Sequence, residues 1–139
     1  MITYERKAYY HETDQMGVIH HSNYFRWLEE ARVHFLHEIG LSYRHMEEIG
    51  IISPVVSIGA QYKKPVKFDD TVIIYIRVTK YTGIKLELEY EIRDKKTNDL
   101  MVLAESKHCF IKDNNIISLR KEYIDFDKKF LNYVENQDK

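Results

Sequence analysis

The sequence predicts an α+β fold in which one long helix is wrapped by a curved antiparallel sheet. Three observations predict it: an early stretch with apolar residues at helical spacing, a carboxyl-terminal half with apolar residues at strand spacing, and no helical period between those later strands. A parallel doubly wound sheet would need repeated helical crossovers. A ferredoxin-like domain would need a second helix near residues 82–99, where the pattern alternates instead.

Taken in order, residues 3–10 alternate loosely and are read as a first strand. Residues 11–21 carry polar groups, a glycine and no period, which marks a loop. Ser22 or Asn23 then offers a side-chain acceptor for the free amides of a helix start. Tyr24, Trp27, Leu28, Ala31, Phe35, Leu36 and Ile39 recur at spacings of three and four, with Arg26, Glu29, Glu30, Arg32 and His34 largely on other faces, and Gly40 supplies the stop. Phe25 and Val33 widen the apolar region, as expected of a helix enclosed by a sheet and partly by a partner subunit. Ser42 caps a second, short helix carrying Tyr43, Met46 and Ile49, which Gly50 ends.

The period then changes to two. Strands are expected near 53–64, 71–81, 84–94 and 100–112, broken at Pro65, at Thr82-Gly83 and at 95–99. Val72, Ile74, Ile76 and Val78 oppose Ile73, Tyr75, Arg77 and Thr79; Leu86, Leu88, Tyr90 and Ile92 oppose Lys85, Glu87, Glu89, Glu91 and Arg93. One packed face and one wetter face imply a mainly antiparallel sheet, and the short 81–84 link implies a hairpin.

With 139 residues the chain is expected to form a single domain over 1–139, its polar tail from Lys128 fraying at its end. A hydrophobic fraction of 44% with 31% charged residues is globular, and eleven Tyr, six Phe and one Trp favour strands, half-buried surfaces and subunit contacts. The net charge of -1, from 21 basic and 22 acidic residues, provides no global attraction to nucleic acid or an anionic membrane. The lone Cys109 cannot form an intrachain disulfide and reads as a small sheet residue. The amino terminus lacks a basic-then-apolar order, and no apolar run approaches the ~20 residues of a membrane span. The chain is therefore read as cytoplasmic, with no membrane insertion.

The chemistry-bearing stretch is 10–24. It places two carboxylates (Glu12, Asp14), three imidazoles (His11, His20, His21) and Gly17 directly before the long helix. Free amides and the positive helix end suit a group that develops negative charge. A thioester carbonyl directed there would be polarised, and a nearby carboxylate would attack it or activate water. The bland readings are a loop or capping Asp14, a turn Gly17, a capping Asn23, core or dimer Tyr24 and Trp27, and a solvated cluster at Lys63, Lys64 and Lys67. The histidine spacing matches no recognised zinc site, so no metal is expected. Neither a Gly-x-Ser-x-Gly elbow nor a phosphate loop nor a nicotinamide fingerprint is present.

Residues 9–32, YYHETDQMGVIHHSNYFRWLEEAR, resemble the signature of the 4-hydroxybenzoyl-CoA thioesterase-like branch of the hotdog superfamily, which includes the acyl-CoA thioesterases grouped with the Tol-Pal-associated protein. The match runs more loosely through Pro65 and the later strands. The resemblance implies a hotdog fold and hydrolysis of acyl-CoA without a cofactor. It further implies a catalytic role for Asp14, as nucleophile or base, and for His21, whose backbone amide polarises the carbonyl. Glu12 stands where many relatives carry Asp, and it supports Asp14, orients the loop or faces solvent. Gly17, Val18, Asn23 and Tyr24 are implied in substrate binding, and Lys63, Lys64 and Lys67 in contacting coenzyme A phosphates. A homodimer or homotetramer with sites between subunits is implied as well. The alternatives are an acyl-carrier-protein thioesterase and a noncatalytic acyl-CoA-binding module.

Overall fold

The computed structural model describes residues 1–138. Strand β1 (Ile2–Lys7) leads through a single 3-10 turn at Tyr10–Glu12 to helices α1 (Ser22–Glu38) and α2 (Tyr43–Glu48). Strands β2 (Val55–Tyr62), β3 (Thr71–Tyr81), β4 (Lys85–Asp94) and β5 (Leu100–Cys109) follow. The short pair β6 (Ile111–Lys112) and β7 (Asn115–Ile116) precedes α3 (Leu119–Glu122) and α4 (Ile124–Asn136). The five long strands form one antiparallel sheet in the order β1-β3-β4-β5-β2, which leaves β1 and β2 as its edges. This is the expected α+β, hotdog-type arrangement of helices packed against an antiparallel sheet.

The alternation read from the sequence is the packing observed. Val72, Ile74, Ile76 and Val78 join Leu86, Leu88, Tyr90 and Ile92 on the buried face, against Trp27, Leu28, Ala31, Phe35 and Leu36 of α1. Register shifts at Val55/Ser57, Val78/Lys80 and Ile92/Arg93 interrupt three ladders. Such irregularities bend strands and increase twist, which lets the sheet curve about the helix.

Four local features differ from the sequence-based reading. The first strand ends at Lys7 rather than residue 10. The strand expected over 100–112 ends at Cys109, where Phe110 turns into the core. Ile111–Lys112 then pairs with Asn115–Ile116 across Asp113 and Asn114, both at positive φ, the backbone of a tight two-residue hairpin. Neither Ser22 nor Asn23 caps α1: His21 occupies that position with helical backbone angles and no side-chain bond.

The largest difference is the carboxyl-terminal segment, to which the sequence reading assigned no helix and which is helical through Asn136. In α4, Phe130 is fully buried, stacking on Tyr81 (centroids 4.7 Å apart) and meeting Phe110 edge-on. Tyr81 donates its hydroxyl to Asp127 Oδ1 at 2.7 Å. β1 begins at Ile2, opposite Ile76, so the next outward backbone groups of β3, at Val78, are taken by the Gln137 side chain (3.0 and 2.8 Å). Among the described residues, no helix is long and apolar enough to cross a membrane.

Candidate active site

The loop between β1 and α1 is built around Glu12, a buried carboxylate with every oxygen engaged. Arg6 donates to it in a fork (3.0 and 2.8 Å), the Tyr9 amide reaches Oε1 at 2.9 Å, and the Trp27 indole reaches Oε2 at 2.9 Å. Burial alone would raise its pKa, but the bonds from Trp27, Tyr9 and Arg6 hold it below the usual carboxylate value. Glu12 therefore anchors the loop to the helix and is not a lining residue of the cleft described below. The Glu12 carbonyl works in the same sense, accepting from the His20 amide (2.9 Å) and from Asn23 Nδ2 (3.0 Å). Asn23 is thus turned inward, which explains why it does not cap.

Two residues on, Asp14 has the opposite environment. Its side chain is exposed, and Oδ1 accepts from the amides of Met16 at 2.8 Å and Val18 at 3.4 Å. The Asp14 amide donates to the Val18 carbonyl, and Gly17 donates to the Asp14 carbonyl. Gly17 makes this tight turn at φ 77°, a left-handed conformation costly for other residues. Val18 and Lys67 form a β-bridge, and Ile19 donates to the Val66 carbonyl, so the turn is laced to the segment after β2.

Asp14, Ile19, His20, His21, Tyr24, Tyr62, Lys63, Lys64 and Pro65 line a cleft of about 270 Å³ at the amino-terminal end of α1. The structure brings together Asp14, His21, Tyr24, Lys63 and Lys64 from the sequence-derived set. Gly17, Val18, Asn23 and Lys67 support the surrounding backbone without lining the cleft. Tyr24 is buried, with its ring against Trp27 and Tyr62 and its hydroxyl accepting from the Val66 amide at 3.2 Å. Lys64 pairs with Asp99 at 3.1 Å.

Sequence reasoning missed Ile19, Tyr62 and Pro65 as lining residues and gave His20 no role beyond its place in the loop. Position 62 closes a strand with no chemical motif, and only the packing of its ring on Tyr24 reveals its place. The His20 ring stacks on His21 with centroids 4.3 Å apart, and its Nδ1 lies 2.8 Å from Ser22 Oγ and 3.3 Å from the Ser22 amide. Among the described residues, the His21 amide has no hydrogen-bond partner, and no cluster of His, Cys, Asp and Glu is arranged to hold a metal ion. A fixed carboxylate, an available amide at a positive helix end and two lysines together suit attack on a carbonyl attached to an anionic carrier.

The profile of the Thioesterase-like superfamily matches residues 10–130. A Bacillus subtilis protein named as a candidate acyl-CoA thioesterase is 34% identical over 124 residues, covering 88% of this chain and 89% of that one. A DHNA-CoA thioesterase from Staphylococcus aureus superposes with a TM-score of 0.90 at 33% identity, covering 99% of this chain and 94% of that one. A 1,4-dihydroxy-2-naphthoyl-CoA thioesterase from Synechocystis, at 21% identity and a TM-score of 0.83, shares the fold over 99% and 97% of the two chains.

Proposed function

This chain belongs to the thioesterase-like superfamily, and on that premise we propose that it hydrolyses acyl-coenzyme A thioesters to a carboxylic acid and free coenzyme A. The observation that carries the reading is Asp14 at the rim of the α1 cleft, with Oδ1 fixed by the Met16 amide and the carboxylate open to solvent. The thioester carbonyl points toward the His21 amide, which stabilises the oxygen as negative charge develops. Asp14 then acts by one of two routes. As nucleophile it forms a bond to the carbonyl carbon, the thiolate leaves, and water hydrolyses the resulting anhydride. As base it removes a proton from the water that attacks. Lys63 and Lys64 contribute positive charge for the coenzyme A phosphates.

The proposal extends to an assembly, a dimer or a dimer of dimers, with sites completed between subunits, and to the narrower branch grouped with the Tol-Pal-associated protein. Hydroxyaromatic thioesters head the substrate panel because the 33%-identical Staphylococcus aureus enzyme bears the name of one. The test is free-thiol release from aromatic, short-chain and long-chain acyl-CoAs, comparing native protein with Asp14→Asn at matched folding and oligomeric state. Turnover that falls about 10²-fold or more in the variant is expected for loss of a catalytic carboxylate. Specific acyl-CoA binding without turnover would identify a noncatalytic binding module; activity confined to carrier-protein thioesters would identify the carrier-protein enzyme.

A further inference from the structure

Residue 20 stands two positions before the first turn of α1, and its ring does what a capping side chain ordinarily does. An amide N–H only donates, so the 3.3 Å contact from the Ser22 amide requires an unprotonated His20 Nδ1, with the ring proton on Nε2. The Ser22 hydroxyl donates to the same nitrogen at 2.8 Å. This is the geometry by which Asn and Asp side chains accept from the amide two residues on. It takes the place of the cap that Ser22 and Asn23 do not make. The backbone of the same residue is tied to the Glu12 carbonyl, and its ring lies on the His21 ring. His20 therefore joins the buried anchor of the loop to the first residue of α1, beside His21.

We propose that His20 is a positioning residue for this site: its neutral imidazole caps α1 and holds the His21 amide toward the cleft, and its protonation releases that cap. The inference rests on the hydrolytic reading for its catalytic consequence, but the cap itself is independent of it. Protonation at Nδ1 turns the acceptor into a donor. The contact with Ser22 Oγ survives by reversing direction, whereas the one with the Ser22 amide cannot, and a cation then faces the positive end of α1. The other titratable groups lining the cleft with it are Asp14 on the loop, His21 at the cap position, Tyr24 in the first turn of α1, Tyr62 at the end of β2, and Lys63 and Lys64 beyond it. Asp14 is the only carboxylate among them.

Three forms separate the roles: native protein, His20→Asn, which keeps an acceptor that does not titrate, and His20→Ala, which keeps none. Backbone amide resonances followed by NMR from pH 8 to 5 read the cap without substrate. The Ser22 resonance is expected to move through a single step in the native protein and to stay level in His20→Asn. In acyl-CoA turnover, the kcat of the native protein is expected to carry an acid limb in the imidazole range that His20→Asn lacks while keeping its plateau within about threefold. His20→Ala is expected to lose about tenfold in kcat at every pH with KM little changed. An unmoving Ser22 amide in the native protein overturns the proposal, as does a His20→Asn profile with the native limb, which would assign it to His21. A titrating Ser22 amide in a protein that turns over no acyl-CoA keeps the cap and removes the hydrolytic reading.

Discussion

Glu12 and Asp14 show how little residue type decides without its surroundings. Both are carboxylates in one loop, yet one is buried under Arg6, Tyr9 and Trp27 and the other is held open by backbone amides. The motif marks Asp14 as the expected reacting carboxylate, while the inward turn of Glu12 depends on Arg6 arriving from β1. A second buried polar chain has no counterpart in the sequence reading. Tyr90 donates to Ser106 (2.8 Å), Ser106 to His108 Nε2 (2.7 Å), and His108 Nδ1–H to the Pro54 carbonyl (3.2 Å), since that carbonyl only accepts. Burial first and the charge of Arg32 second push the His108 pKa down to about 4. An unfolded histidine titrates near 6.5, so between these values the unfolded chain binds a proton that the folded chain refuses. Stability is then full above about pH 6.5 and falls as pH drops toward 4, by as much as about 3 kcal/mol. Urea unfolding across that range is expected to show a shallower fall in His108→Gln than in native protein; parallel slopes would discard the assignment.

At the scale of elements, strand and helix periods were legible wherever one face was packed by neighbours in regular order. Thr71–Tyr81 and Lys85–Asp94 fall almost where the alternation put them, and Gly40 ends its helix turn at φ 93°. α4 was not recognised because its apolar positions, Phe126, Phe130, Leu131, Tyr133 and Val134, are spaced among seven polar residues from 125 to 136. That spacing is helical, and it becomes decisive only when Tyr81, Phe110 and Phe35 supply the surface it covers. Phe130→Ala is expected to cost about 3–5 kcal/mol in thermal or urea unfolding, the usual toll of truncating a fully buried aromatic. A silent substitution would mean that the segment does not hold to the sheet. Arg32 makes the converse point: it was read as a polar face of α1, and it is buried, donating to the Ser53 carbonyl and to Glu29.

Over the whole molecule, the sheet ends in two edges of different character. β1 is tied down by Tyr133, whose hydroxyl accepts from the Ile2 amide and donates to the Ile76 carbonyl. β2 presents Val55, Val56 and Tyr62 at 39%, 64% and 48% exposure along an unpaired edge, and Tyr62 also lines the cleft. An exposed apolar edge strand is a template for pairing with another chain. Joined to the proposed assembly, this predicts that sedimentation finds native protein at two or four times the chain mass. Val56→Lys is expected to shift it toward monomer and to lower acyl-CoA turnover in parallel. A native monomer with full activity would refute the shared site.

By itself the sequence determined the class of fold, the order of its principal strands and first two helices, and the loop that carries Asp14. These follow from local period, turn residues and a contiguous motif, all of which are properties of neighbours along the chain. Only the tertiary structure decided which loop residues face the cleft, that Tyr62 and Pro65 close it, that His20 rather than Ser22 or Asn23 serves the helix start, and that the carboxyl-terminal segment is a packed helix. All but the His20–Ser22 contact itself depend on partners distant in sequence, and even there the Glu12 carbonyl holds the His20 amide and turns Asn23 inward; such partners choose among side-chain directions that local pattern leaves equally open.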